Sequence, residues 1–189
     1  MNTDGQNIWP TVKYRIGKDD RLSFVNEAGR AFALENDAPE LAGGDLVGRS
    51  LWDFIADPET REVYRMILAR VRAGRTVELD VRCDAPDVSR LLRLAIRRHD
   101  DDEIEFECST LAVAPRPREA SLIDRGARRA RDWVVIVCSW CKRVQTPRTG
   151  QWVEIDDAVR DLGLLAREVL PGLSHGICRS CRERVSEFV

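Results

Sequence analysis

The chain has 189 residues, a net charge of −2 and 43% hydrophobic residues, which is the composition of an ordinary globular protein. The near balance of 30 basic and 32 acidic residues argues against a generally basic surface for nucleic acid. The longest apolar run, residues 133–138, is too short for a transmembrane helix. The first residues lack the basic and apolar regions of a signal peptide, so we expect a cytoplasmic protein whose six cysteines stay reduced.

The first predicted elements are a β-hairpin and a short helix. Residues 12–16 and 22–25 have the alternation of strands, and residues 17–20 between them have the composition of a turn. Asn26 is of a type that caps a helix, and the sequence predicts that this helix runs from Glu27 to about Leu34.

A longer amphipathic helix is predicted to begin at Pro58, directly after the capping residue Asp57. The helix is predicted to end at Gly74. The apolar positions on one face of the helix are Val63, Tyr64, Ile67, Leu68 and Val71.

Three strand patterns follow, at residues 77–83, 92–96 and 104–108, with a turn at 99–102. Apolar residues alternate with charged or small ones in each, which is typical of an antiparallel sheet with one buried face. We therefore predict the α+β class for this part of the chain, a five-stranded antiparallel sheet with helices on one face.

This layout resembles a PAS domain, and the resemblance covers residues 11–113. The segments that carry it are 24–26, 47–55 and the helix that begins at Pro58. It implies a sensor domain that binds a small ligand or a partner, and it adds a homodimer as an expectation. PAS domains differ in their cargo, so the ligand is not specified by the resemblance.

The residues of this region argue against haem and flavin as that ligand. A haem needs an axial ligand inside the pocket, and the only histidine here, His99, falls in a polar turn. No cysteine occurs early in the helical middle, where the flavin photosensors of the family carry one. Cys83 and Cys108 are in phase with the apolar strand faces and are interpreted as small core residues.

Residues 114–131 are predicted to form a linker. They hold six arginines and two acidic residues, and they include Pro115, Pro117 and Gly126. Such a composition, with little apolar content, is typical of a solvated connection between two domains.

Residues 132–189 contain two C-x-x-C pairs, Cys138 with Cys141 and Cys178 with Cys181, separated by 36 residues. In a reducing compartment this pattern predicts a tetrahedral metal site, and soft thiolates favour zinc. We predict one structural zinc per chain on these four cysteines. His175, three residues before Cys178, is an alternative ligand or a group that hydrogen-bonds a sulfur.

The residues between the pairs predict a β-hairpin and helix module. Strands are expected at 133–137 and 151–155, and a helix after Asp156 or Asp157. Pro171-Gly172 is expected to break the chain before the second cysteine pair. A domain of this length rarely gains more than about 3–5 kcal/mol from its core, so a bound metal is a reasonable source of stability.

The cysteines also fit two other kinds of site in principle. A thioredoxin-like redox pair requires a βαβ context, which the sequence does not predict here. An iron–sulfur cluster also takes four cysteines, and the sequence leaves zinc and iron–sulfur both open.

The C-terminal segment resembles a small cysteine-rich module that follows PAS or receiver domains in bacterial signalling proteins. The matching residues are Cys138-Ser139-Trp140-Cys141-Lys142, Trp152, Ser174-His175-Gly176-Ile177-Cys178 and Cys181. The two resemblances together imply a bacterial sensor or adaptor that acts on another signalling protein by contact. A zinc-dependent nucleic-acid-binding regulator is the alternative. A zinc enzyme is not expected, because four thiol ligands leave no open position on the metal.

Overall fold

The computed structural model describes residues 9–35, 43, 46–85, 88–115, 128–164, 167 and 169–188. Within these ranges the chain is a mixed α+β protein with two β-sheets and four α-helices, as the predicted fold class requires. None of the helices in the described ranges combines the length and the apolar character needed to cross a membrane.

The first sheet has five antiparallel strands in the order β2-β1-β5-β4-β3, so the predicted five-stranded sheet is confirmed. Its elements in chain order are β1 (Val12–Ile16), β2 (Leu22–Val25), α1 (Glu27–Glu35), α2 (Pro58–Arg72), β3 (Val77–Arg82), β4 (Val88–Arg98) and β5 (Ile104–Pro115). Short 3-10 turns occupy Leu51–Phe54 and Asp100–Asp102.

Side-chain caps fix where the two helices of this part begin. The Asn26 carboxamide oxygen accepts from the backbone N–H of Gly29 at 2.9 Å and from that of Lys13 at 3.0 Å, which ties α1 to β1. The Asp57 carboxylate accepts from the Thr60 N–H at 2.6 Å and caps α2. At the other end of α2, Gly74 has a φ of +88°, a conformation that glycine adopts without steric cost.

The core of the first sheet lies between its inner face and α2. Residues of α2 such as Ile67 and Val71 are completely buried, as are Ile96 and Phe106 on the central strands. The ring of Tyr14 stacks on Phe106, with 4.5 Å between ring centroids. The amphipathic pattern of α2 therefore places its apolar face where the sequence predicts.

The second sheet has four strands in the order β8-β7-β6-β9. Strand β9 pairs with β6 in parallel, and the other pairs are antiparallel. The elements are β6 (Arg129–Cys138), β7 (Val144–Gln145), β8 (Trp152–Val153), α3 (Ile155–Asp161), β9 (Leu170–Gly176) and α4 (Arg179–Phe188).

Two expectations for this region are wrong. The connection from β6 to its parallel partner β9 contains α3, so a β-α-β arrangement is present where none was predicted. Pro171 and Gly172 do not break the chain but lie inside β9. Since β9 is an edge strand, the missing N–H of a proline costs no hydrogen bond on its open side.

The predicted linker lies mostly outside the described residues, at 116–127. Its two ends are in strands, because β5 extends to Pro115 and β6 begins at Arg129. The predicted domain boundaries themselves stay a prediction.

Candidate metal centre

The four predicted ligand cysteines converge on one point. The sulfur atoms of Cys138, Cys141, Cys178 and Cys181 all lie within 4.8 Å of one another, and Cys141 Sγ is 3.6 Å from Cys178 Sγ. Cys138, Cys178 and Cys181 are buried, whereas Cys141 is half-buried. All six cysteines of the chain are free thiols.

The first pair is held in a tight loop at the end of β6. The backbone N–H of Cys138 donates to the carbonyl of Arg143 at 2.7 Å, and the N–H of Lys142 donates back to the Cys138 carbonyl at 3.0 Å. Lys142 closes the loop in the left-handed region, with a φ of +63°. The N–H of Ser139 donates to the Gly176 carbonyl on β9, which fixes this loop beside the second pair.

The second pair lies where β9 ends and α4 begins. The carbonyl of Cys178 accepts from the N–H groups of Cys181 and Arg182 at 3.1 and 3.0 Å, so the first turn of α4 brings both sulfurs to the same side. The positive end of the helix dipole then faces the sulfurs, which favours the thiolate over the thiol.

Hydrogen bonds inside the cluster favour the charged form of one sulfur. Hydrogen bonds from the thiols of Cys141 and Cys181 lower the pKa of the Cys138 thiol, and the Cys178 N–H, 3.4 Å from its sulfur, acts in the same direction. The Arg184 guanidinium donates to Cys181 Sγ at 3.0 Å. The cluster thus already contains donors that stabilise negative charge on sulfur.

This geometry fits a single metal ion. Zinc–sulfur bonds of about 2.3 Å in a tetrahedron place the sulfurs roughly 3.8 Å apart. The Cys141–Cys178 sulfur distance of 3.6 Å is close to this, and all four sulfurs lie within 4.8 Å of one another. The four cysteines therefore lie within metal-binding distance of one another and can hold a structural metal.

His175 is not among the residues whose ligand atoms come together in this cluster. It lies on β9 with its side chain exposed, at the mouth of a cleft next to the cysteine loop. Desolvation in this position lowers the pKa of the imidazole, and the nearby Lys142 ammonium acts in the same direction while Asp57 opposes it.

The loop between the first two cysteines also reaches the first sheet. Trp140, whose side chain is only 4% exposed, packs edge-on against Tyr64 of α2, with 6.0 Å between ring centroids. Its carbonyl accepts from the Arg82 N–H at the end of β3 at 2.6 Å. The hydroxyl of Thr60 on α2 donates to that of Ser139 at 3.3 Å.

Ion pairs surround this contact. Arg82 of β3 pairs with Glu154 at 3.0 Å, and Glu154 pairs in turn with Arg143 at 2.9 Å. Arg182 of α4 pairs with Glu59 at the start of α2 at 2.8 Å. The cysteine cluster is thus joined to the first sheet by a buried tryptophan, a backbone hydrogen bond and charged contacts.

Sequence reasoning identified the cysteines but not the arginine that contacts them. Arg179 and Arg182 flank the second cysteine pair in the sequence, but Arg179 pairs with Glu183 in solvent and Arg182 pairs with Glu59. The donor to sulfur is Arg184, three residues after Cys181. The spacing i, i+3 on a helix would have indicated it, had α4 been predicted.

Comparison with known proteins adds no family to these observations. Neither the family models nor the curated proteins searched with this sequence gave a match.

Proposed function

We propose that this protein is a bacterial signal-transduction sensor or adaptor with a structural zinc at the four cysteines. In this proposal the first sheet, as a PAS-like domain, receives a small ligand or a partner protein. The cysteine module passes that state to a signalling protein by contact. The observation that carries the proposal is the position of Trp140, which lies between two ligand cysteines and packs into the core of the first sheet.

The chemical type of the four ligands and the small distance between their sulfurs both support zinc. Four thiolates are soft ligands, and zinc takes them in a closed tetrahedral site that is structural rather than catalytic. A polynuclear iron–sulfur cluster places several iron and sulfide atoms between its cysteines, whereas all four sulfurs here lie within 4.8 Å. A site for one ion is therefore favoured.

The pairing of the arginines near the cluster supports protein contact over nucleic acid. Arg82, Arg143, Arg179 and Arg182 each form an ion pair with a carboxylate of the chain. Binding to phosphate would have to break these pairs. The free thiols are consistent with the reducing cytoplasm as the location.

Metal analysis and an absorption spectrum of the full chain test the metal, and titration with a DNA duplex tests the alternative function. We expect one zinc per chain, no visible absorption band and no binding whose affinity falls steeply with added salt. A coloured iron-containing protein would overturn the zinc assignment. Salt-sensitive duplex binding would replace the adaptor with the nucleic-acid regulator.

Cys178→Ser and Cys83→Ser form a matched pair for the same experiment. Both remove one thiol, but only Cys178 belongs to the cluster. The account requires that Cys178→Ser loses the metal and that Cys83→Ser retains it. Equal metal content in the two variants would contradict the ligand assignment.

A further inference from the structure

A cleft of about 340 Å³ lies between the first sheet and the loop of the first cysteine pair. One wall is formed by α2 and the turn before it, and the other by Ser139, Trp140 and His175. It is separate from the metal centre, because none of the four cysteines lines it. Its size is within the range of small-molecule sites, about 300–1,000 Å³.

Three aromatic side chains line the cleft. Phe54 and Tyr64 contribute from the first sheet's side, and Trp140 from the cysteine loop. Tyr64 and Trp140 meet at an interplanar angle of 65°. Aromatic faces and edges of this kind favour a flat ring as ligand, by stacking or edge-to-face contact.

Several neutral hydrogen-bonding groups converge on the same space. The hydroxyls of Thr60 and Ser139 lie 3.3 Å apart on opposite walls. The His175 imidazole has no hydrogen-bond partner among the residues that the structure describes, and desolvation in the cleft lowers its pKa, which favours the neutral form. A neutral imidazole offers one donor and one acceptor to a ligand.

The two charged groups that line the cleft are already engaged. The Asp57 carboxylate caps α2 through the Thr60 N–H. The Arg82 guanidinium pairs with Asp84 and with Glu154. Neither charge is left without a partner, so the cleft offers no unpaired charge that would call for a charged ligand, and an uncharged ligand is favoured.

We propose that this cleft binds an uncharged, planar heteroaromatic molecule with a hydrogen-bonding edge. Its ring lies against Tyr64 and Trp140, and its polar edge meets His175 and Ser139. The proposal deepens the proposed function, because a ligand held by both walls stabilises the contact between the first sheet and the cysteine module. It gives His175, which is not among the clustered sulfurs, a role outside the metal site.

The test uses the full zinc-containing chain and adenine as the probe, with benzoate as an anionic control of similar planarity. Binding is followed by NMR through the indole N–H of Trp140, assigned with the variant Trp140→Phe. We expect adenine to shift this signal with a Kd of about 1 mM or lower, and benzoate to bind at least about tenfold more weakly. No shift with adenine, or equal binding of benzoate, would overturn the proposal.

His175→Ala and Ser174→Ala are the matched variants. Both residues are exposed neighbours on β9, but only His175 lines the cleft. We expect His175→Ala to weaken adenine binding about tenfold or more and to retain the metal, and Ser174→Ala to change neither. Metal loss in His175→Ala, or adenine binding unchanged in it, would contradict the assignment. The metal content of the unaltered chain tests the proposed function separately from the cleft.

Discussion

The two sheets have separate cores. The clustered cysteines lie in the same part of the sequence as the second sheet, but they pack in the core of the first sheet. The core of the second sheet is formed by its own strands and α3, with Val135, Val137 and Ile155 buried. The clustered cysteines, together with Trp140 and Val185, pack instead in the core that includes Ile67 and Phe106 of the first sheet's side. The cysteine cluster therefore lies at the junction of the two regions.

This difference changes what the metal is expected to stabilise. The length of residues 132–189 alone suggests a metal that replaces missing core in a small domain. The packing shows that the second sheet has a core without the cysteines. A bound ion then fixes the loop and helix that contact β3 and α2, so its removal affects the first sheet as well.

The largest expected effect is that of removing one ligand thiol. Structural zinc sites contribute about 10–16 kcal/mol of apparent binding free energy, which exceeds the total stability of many domains, about 5–15 kcal/mol. We expect Cys178→Ser to destabilise the cysteine loop and α4, which pack in the first core, and to lower the stability of the first sheet, while the core of the second sheet is affected less. Circular dichroism melts beside those of Cys83→Ser measure this. A melt equal to that of Cys83→Ser would contradict the account.

Truncation of a tryptophan distinguishes the two cores. Trp140→Ala leaves all four cysteines in place but removes a buried ring between the regions, which we expect to cost about 3–5 kcal/mol. Trp133 is only partly buried and packs against the second core, so Trp133→Ala should cost less and spare the first sheet. Urea unfolding of both variants gives the two values. A larger loss in Trp133→Ala would reverse our assignment of the junction.

A loss of stability of intermediate size is expected when the charge of Glu105, on the outer face of the first sheet, is removed. Burial raises the pKa of the Glu105 carboxyl, but hydrogen bonds from Arg15 and Arg97 outweigh it and hold the pKa below its ordinary value of 4.5. Because the folded-state pKa is the lower one, this stabilisation is complete above about pH 4.5 and is lost as the pH falls through the folded-state pKa.

Glu105→Gln tests this assignment. Loss of the charge-assisted hydrogen bonds should cost about 1.5–3 kcal/mol at pH 7, and the difference from the unaltered protein should shrink as the pH falls below 4.5. Urea unfolding at a series of pH values measures both. A difference that stays constant down to the acid transition would show that the charge of Glu105 is not responsible.

The smallest effect is expected at the exposed ion pair between the regions. Glu59→Gln breaks the contact with Arg182, and both side chains are more than half exposed. Such pairs contribute about 0.2–1 kcal/mol and are weakened by salt. The difference in melting temperature between Glu59→Gln and the unaltered chain should therefore be small at low salt and should vanish at high salt. A loss comparable to that of Trp140→Ala would mean that charge, not packing, holds the junction.

Local patterns were sufficient to predict the first sheet. The strands of period two, the cap at Asp57 and the apolar face of α2 are properties of neighbouring residues, and the structure has each of them. The C-x-x-C spacing likewise predicted which thiols would meet, because two residues between cysteines allow both sulfurs to bind one ion.

Contacts between distant segments could not be predicted in the same way. Strand β9 contains Pro171 and Gly172, which locally indicate a break, and its parallel pairing with β6 is decided by packing. The hydrogen bond from Arg82 to Trp140 and the contact of Arg184 with Cys181 join residues whose proximity depends on the complete fold. The contact between the two regions could therefore be found only from the structure and not from the sequence.

Hydrogen exchange of the full chain with zinc bound and after its removal tests the central claim most directly. If the metal centre fixes the junction, the backbone N–H of Arg82, which donates to Trp140, and the first turns of α2 lose protection when zinc is removed. The strands β2 and β1, at the opposite end of the sheet from β3, retain theirs. Unchanged protection of β3 and α2 after complete loss of zinc would contradict the account.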